Sequence, residues 1–327
     1  MLKTHSIYLP IVLLIASLKF GCTHIQGTSQ EPAGDLSQGP AWKDETDAIL
    51  AAIATSSSAD QELVSRVPAL AAMAKKDATT PQIFGFWGTS INFDEAAKAE
   101  IVNASVLTAV GRLAGVPMAG RHVHAGLAHT YGYLLSNLVT PYGYKRERWT
   151  LPTIDQGFGW NRGPIAPVPP QGTLLTNVTL LAGKIAFRDD AKRLHKLTGT
   201  LTSAAPEIVA LDTSKLVIRR LTETVTIPED QKAGLRTRTI KLYTDLVKLP
   251  QVPSTATALT HILVYSIADT AVEGRRLITL FPMTDAAANG VFTPANLGAD
   301  KPVVTRYNAY VPGLTGHATN GRRIATP

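Results

Sequence analysis

Apolar residues recur at three- and four-residue steps through the first half of the chain and alternate with polar ones through much of the last third. The sharpest helical run is "DEAAKAEIVNASVLTAVGRLAG". Ala97, Ile101, Ala104, Leu107 and then Val110 or Ala114 share one face, Asp94 stands as the N-cap, and Gly115 with Pro117 closes the run. Upstream, "DETDAILAAIA" opens on acids and continues in strong helix formers. Ser58 and Gln61 have the spacing of a capping box ahead of "ADQELVSRV", and Pro68 kinks or restarts the helix that follows. Between these helices "PQIFGFWGT" reads as a buried turn or a short strand. Further on, "TLLTNVTLLAGKIAFRDDAKRLHKL" is helical through Ala182, Ile185, Ala186 and Leu194.

The period then changes. "KLVIRRLTETVTI" and "LRTRTIKLYTDLV" are rich in Val, Ile, Leu, Thr and Tyr, and the polar connector "PEDQKAG" joins them as an antiparallel pair. "HILVYSIADTAVEGRRLITLFPM" predicts a second hairpin turning near Glu273 and Gly274. "VVTRYNAYV" predicts a last strand, and "HATNGRR" a frayed polar end. Helices first and strands later argue for an α+β fold: N-terminal helices followed by a mostly antiparallel β-sheet in the C-terminal half. The expected domain is 42–327, with its helical part at 42–200 and its sheet part at 210–315. Residues 141–172, dense in Pro, Gly and aromatics, have no usable period, and long irregular loops of this kind often carry function.

A length of 327 residues and 45% hydrophobic content give enough chain for a sizeable core. Charged residues make up 17%, the formal net charge is +7, and no long Lys/Arg block exists, so no nucleic-acid partner is expected. The N-terminus is more telling. "MLKTHS" is a short basic region and "IYLPIVLLIASL" an apolar stretch of 12 residues, too short to span a bilayer but of the length of a secretory signal core. Cys22 is the single cysteine, so no intramolecular disulfide can form. Gly21-Cys22 resembles the lipobox of bacterial lipoproteins, in which the cysteine is acylated and becomes the mature N-terminus; Lys19 and Phe20 depart from the Leu and small residue that pattern favours. The resemblance implies lipidation at Cys22. Residues 1–22 then read as the signal segment, 23–41 as a flexible tether, and the protein as exported to the cell envelope and held to a membrane by its N-terminal lipid, or secreted or periplasmic.

Candidate chemistry concentrates between Gly120 and Asn161. "GRHVHAGLAHTYGY" carries three of the eight histidines, His122, His124 and His129. His122 and His124 point the same way if extended, and His129 shares a helical face with His122, so no single regular element presents all three. Acting together they require a break from loop to helix near Gly126. Three uses are open: ligands for a metal, with zinc the ion such imidazoles suit; general acid–base groups; or hydrogen-bonded histidines in a buried helix. The H-x-H pair also resembles the first-strand ligands of metal-dependent amidohydrolases, but it follows several helices here instead of opening a strand–helix alternation, and H-E-x-x-H is absent. Around the histidines lie Arg121, Tyr131, Tyr133, Tyr142, Tyr144, Lys145, Arg146, Arg148, Trp149, Asp155 and Trp160. Rings mixed with convergent polar groups are what line ligand clefts, and Asp155 is placed to orient a histidine. No nucleophile elbow, P-loop or dinucleotide fingerprint occurs.

The sequence therefore leads to an envelope protein with an aromatic, basic cleft for a small or anionic ligand. A hydrolase using His122, His124 and His129, and a purely structural surface lipoprotein, are the alternatives. The sharpest expectation is that the histidine segment and the loop "TPYGYKRERW" face one another across a single cleft.

Overall fold

The computed structural model describes residues 46–118, 120–140, 143–161, 163–229, 236–252, 259–297, 303, 305–314 and 321–326, all within the single unit Gly39–Pro327. Cys22, the expected signal segment (1–22), the expected tether (23–41) and Tyr142 lie outside the described residues.

The fold is α+β. Helices α1 (Thr46–Thr55), α2 (Ala59–Arg66) and α3 (Pro68–Ala78) pack on one another and on α4 (Ala104–Ala114). Pro68 does open α3, where its missing N–H is of no consequence. Ser58 precedes α2 but makes no side-chain cap; its backbone carbonyl accepts from Gln61 instead. The run from Asp94 is helical only from Ala104. The Asp94 carboxylate accepts from the Ala96 and Ala97 N–H groups, Lys98 turns the chain at φ 53, and Asn103 caps the helix by accepting from the Ser105 N–H. Gly115, at φ 69, ends it as expected.

The segment "PQIFGF" is a 3₁₀ turn leading to β1 (Thr89–Ile91), which pairs with β2 (His122–His124) and, on its other side, with β9 (Ala309–Tyr310). From β2 the chain passes directly into α5 (Ala125–Leu127) and a π-helical turn, Ala128–Gly132. Gly126 is required there: a Cβ would lie 2.7 Å from the Trp87 ring, whose indole N–H donates to Thr179. The described residues of 141–172 are more ordered than their composition suggests. A two-stranded lip, β3 (Val139–Thr140) and β4 (Gly143–Tyr144), is followed by α6 (Glu147–Thr150) and α7 (Thr153–Phe158). The long apolar run is two helices, α8 (Leu174–Ala186) and α9 (Ala191–Thr200), with α10 (Pro206–Val209) after them.

The main sheet has the order β10–β5–β6–β7–β8, all antiparallel: β5 (Ile218–Glu229), β6 (Arg236–Lys248), β7 (Leu259–Asp269), β8 (Val272–Thr284) and β10 (Gly321–Thr326). Helices α11 (Asp285–Val291) and α12 (Pro294–Leu297) follow β8. Both faces of the sheet are covered, which explains the near-continuous apolar run of β7. Ile262 and Val264 face the helical layer, while Leu263, Tyr265 and Ile267 face a second core closed by Ala288, Phe292, Val303, Ala309, Val311 and Leu314.

Three sequence expectations are corrected. The β7–β8 hairpin turns at Thr270–Ala271, because Asp269 pairs with Val272 and its carboxylate accepts from the Ala271 N–H; Gly274 sits inside β8. "VVTRYNAYV" contributes only Ala309–Tyr310 as strand, since Tyr307 and Asn308 at φ 58 and 60 break any extended run. The last strand of the sheet is instead β10, whose first three residues, Gly321–Arg323, belong to the stretch that reads as polar fraying; backbone pairing along β5 recruits it.

One irregularity positions the site. Tyr265 pairs with Thr279 and Ser266 with Leu277, leaving Ile278 as the extra residue of a β-bulge. The bulge switches the parity of β8. Leu277 before it and Leu280 after it both face the helical layer, while Thr279, Phe281 and Met283 turn toward the opposite side.

Candidate functional site

A cleft of about 700 Å³ opens beside β8, within the size range of ligand sites. Tyr133 comes from the histidine segment, Tyr144, Lys145 and Arg148 from the loop and α6, Thr279, Phe281 and Met283 from β8, and Tyr307 and Asn308 from the left-handed turn before β9. The histidine segment and the basic loop thus share one cleft through Tyr133, Lys145 and Arg148. Val139 and Tyr144, cross-strand partners in the lip, are both exposed at its mouth.

Two cations dominate it. The Arg148 guanidinium lies 4.8 Å from the centre of the Tyr133 ring and 5.0 Å from that of Phe281, and donates to Thr279 Oγ1 at 3.1 Å. The Lys145 amine lies 5.1 Å from the same Tyr133 ring. Burial pushes Arg148 down to about 10. Burial, and then the charge of Arg148, draws Lys145 down to about 8. Two carboxylates also line the cleft, but each is engaged by backbone. Asp94 accepts from Ala96 and Ala97, and Glu147 accepts from the Tyr144 N–H at 2.7 Å. Among the described residues neither Lys145 nor Arg148 makes an ion pair.

The three histidines fall to separate tasks. His124 accepts from the Leu127 N–H at Nδ1 (3.2 Å), capping α5, so its Nε2 carries the proton and donates to the Phe84 carbonyl (3.1 Å). Both nitrogens are occupied, and burial holds the ring down at about 4, neutral throughout the neutral range. His129 is buried under Tyr133, ring centres 4.7 Å apart, with Nε2 3.1 Å from the Ser90 hydroxyl, which donates to the Asn308 carbonyl. Burial, then the charges of Arg148 and Lys145, pushes His129 well below its usual value. His122 is exposed and stacks on Tyr310 at 3.8 Å. Ser90 is 1% exposed and does not line the cleft. Among the described residues no group of three or more His, Cys, Asp or Glu is placed to hold a metal ion.

The other candidates divide cleanly. Tyr133, Tyr144, Lys145 and Arg148 line the cleft. Arg146 stacks over Tyr144 and donates to Asn137, bracing the lip from outside. Arg121 covers Phe93. Tyr131 donates to the buried Asp77 carboxylate, which also takes the Thr173 and Thr176 hydroxyls, tying α3 to the start of α8; burial raises Asp77 to about 6. Trp149 donates to the His129 carbonyl from within the core, and Trp160 stacks on Phe158. Asp155 orients no histidine: it accepts from the Ile165 N–H and closes the loop that follows α7. Cleft residues outside the candidate set include Thr279, Phe281, Met283, Tyr307 and Asn308, and Asp94, which the sequence marks only as a helix cap. An Asn in "RYN", a residue type tolerant of left-handed φ, was the one available signal.

Asp155 supplies a pH test of the loop. Burial, opposed by the Ile165 N–H and reinforced by Glu207, raises it to about 7. A carboxyl raised above its unfolded value favours the folded state fully below pH 4, and that contribution is lost as pH rises through 7. Asp155→Asn keeps the acceptor without the charge. Its stability relative to wild type should therefore improve by about 2 kcal/mol between pH 5 and pH 8 in urea titrations; a pH-independent difference would show the carboxylate to be solvated.

No family model, curated protein or solved structure matches the chain.

Proposed function

We propose that the cleft binds a small organic anion, a carboxylate carrying an aliphatic or aromatic body. The observation that carries this reading is Arg148: a guanidinium set between aromatic rings, held by one hydroxyl, with both nearby carboxylates turned to backbone amides. Withdrawing a cation from water without a counterion is unfavourable, and a ligand carboxylate offsets that penalty. Leu259, Phe281, Met283 and Val291 supply the apolar wall against which the rest of such a ligand packs. Binding is favoured over hydrolysis because both nitrogens of His124 are committed to backbone and His129 is sealed beneath Tyr133. Export and anchoring through Cys22 belong to the same proposal and rest on the N-terminal sequence; among the described residues no helix is long and apolar enough to cross a membrane. A Cys22→Ala protein that still partitions with membranes would remove the anchor.

The ligand class is tested by calorimetric titration of 4-phenylbutanoate against its neutral isostere 4-phenylbutanamide. The carboxylate should bind at least about tenfold more tightly, the worth of one charge-assisted contact. Equal affinities would mean that the cations play no part in recognition.

A further inference from the structure

Lys145 differs from the other well-placed lysines of this protein. Lys184 is tied to the carbonyls of Ile208, Val209 and Leu211, and Lys98 and Lys215 pair with Glu95 and Asp212 at the surface. The Lys145 amine, by contrast, makes no hydrogen bond and no ion pair among the described residues. It lines the cleft over the Tyr133 ring, and Arg148 shares that ring. An amine in a partly desolvated cleft beside a second cation is the arrangement that turns lysine into a nucleophile.

We propose that Lys145 forms a reversible imine with the carbonyl carbon of an oxo acid whose carboxylate is held by Arg148. This rests on the cleft being an anion site and extends it from binding to covalent chemistry. The amine nitrogen adds to the carbonyl carbon, giving a carbinolamine. The C–O bond then breaks and the oxygen leaves as water, taking up the two protons lost from nitrogen, so that amine and carbonyl become imine and one water. No oxidant or reductant takes part, and water reverses the step. The Arg148 contact places the carboxylate, leaving the carbonyl one or two carbons away to meet the amine. The charged and titratable groups facing Lys145 are Arg148, Tyr133 and Asp94, with Glu147 engaged at the lip. In the cleft before a ligand binds, burial and then the charge of Arg148 hold a larger share of Lys145 as free amine at neutral pH than an ordinary lysine keeps.

The test is reductive trapping on the full chain. Protein is incubated with 2-oxo-4-phenylbutanoate and cyanoborohydride at pH 7, and labelled lysines are mapped by mass spectrometry. Label at Lys145 is expected to accumulate at least tenfold faster than at the average lysine. It should be suppressed by 4-phenylbutanoate, which has the carboxylate but no carbonyl, and Lys145→Arg should abolish it while keeping the charge and the fold. Label spread evenly over the lysines, or absent from Lys145, overturns the proposal. Calorimetry with 4-phenylbutanoate separates the two claims. If that acid binds and Lys145 stays unlabelled, the imine falls and the anion site stands; if it does not bind, both fall.

Discussion

Arg148→Met is expected to weaken binding of 4-phenylbutanoate by at least about 100-fold while leaving the folded state within about 1 kcal/mol of wild type. The two halves of this result follow from one arrangement. Removing a charge that a ligand carboxylate contacts in a partly desolvated site forfeits the strongest interaction available there. Yet within the protein Arg148 neutralises nothing: Asp94 and Glu147 are satisfied by backbone N–H groups, so its loss orphans no carboxylate. The internal losses are the hydrogen bond to Thr279 Oγ1 and the cation–π contacts with Tyr133, Trp149 and Phe281. Against them, Met packs its thioether on Tyr133, Phe281 and Trp149, and the penalty of holding a guanidinium there disappears. Urea unfolding and calorimetry on the same sample read both quantities. A variant that loses several kcal/mol of stability would show that Arg148 is a structural strut and not a recognition group.

Asp245→Ala should do the opposite, destabilising the protein by about 3–5 kcal/mol without altering affinity in the molecules that remain folded. Asp245 is fully buried and opposes Arg220 in the β5–β6 register. It accepts from Arg220 Nε and Nη2 at 2.7 and 2.9 Å and from Arg188 at 2.6 Å. Arg220 also donates to the Ala186 carbonyl in the last turn of α8, and Arg275 reaches the same carbonyl and Asp189. The cluster therefore satisfies a helix end that has no intrahelical partner and pins α8 to the sheet. Taking away its central anion leaves the half-exposed Asp189 to serve the buried guanidiniums of both Arg220 and Arg275, and strips Arg220 of its bidentate partner. Asp245→Asn, which retains an acceptor, should lose less, and chemical denaturation of the two variants side by side reads the difference.

The order of elements was legible because burial on one face leaves a 3.6-residue period and burial on two faces leaves a run such as that of β7. Local polar chemistry was what defeated the pattern. At Asp94 the apolar spacing of a helix continued unbroken, but the carboxylate found a tighter arrangement in a turn with Ala96 and Ala97, and Lys98 took a left-handed φ. The cleft was half visible. Tyr133, Tyr144, Lys145 and Arg148 stand close in sequence, so their density could be seen. Thr279 and Phe281 could not, because "LITLF" reads as plain core strand and only the register break at Ile278 turns them outward. Tyr307 and Asn308 arrive from far along the chain. The histidines drew attention by their spacing, but their roles depend on partners distant in sequence: Phe84 for His124, Ser90 for His129 and Tyr310 for His122.

An anion bound against Lys145 and Arg148 must change the proton occupancy of the cleft. A carboxylate beside Lys145 favours its charged form and raises it from about 8, so the complex holds more protons than the free protein near and above that pH. Calorimetry of 4-phenylbutanoate binding in two buffers of different ionisation enthalpy should give an uptake of roughly half a proton at pH 8.5 and none at pH 6. Binding without proton uptake at pH 8.5, or with proton release, would contradict it.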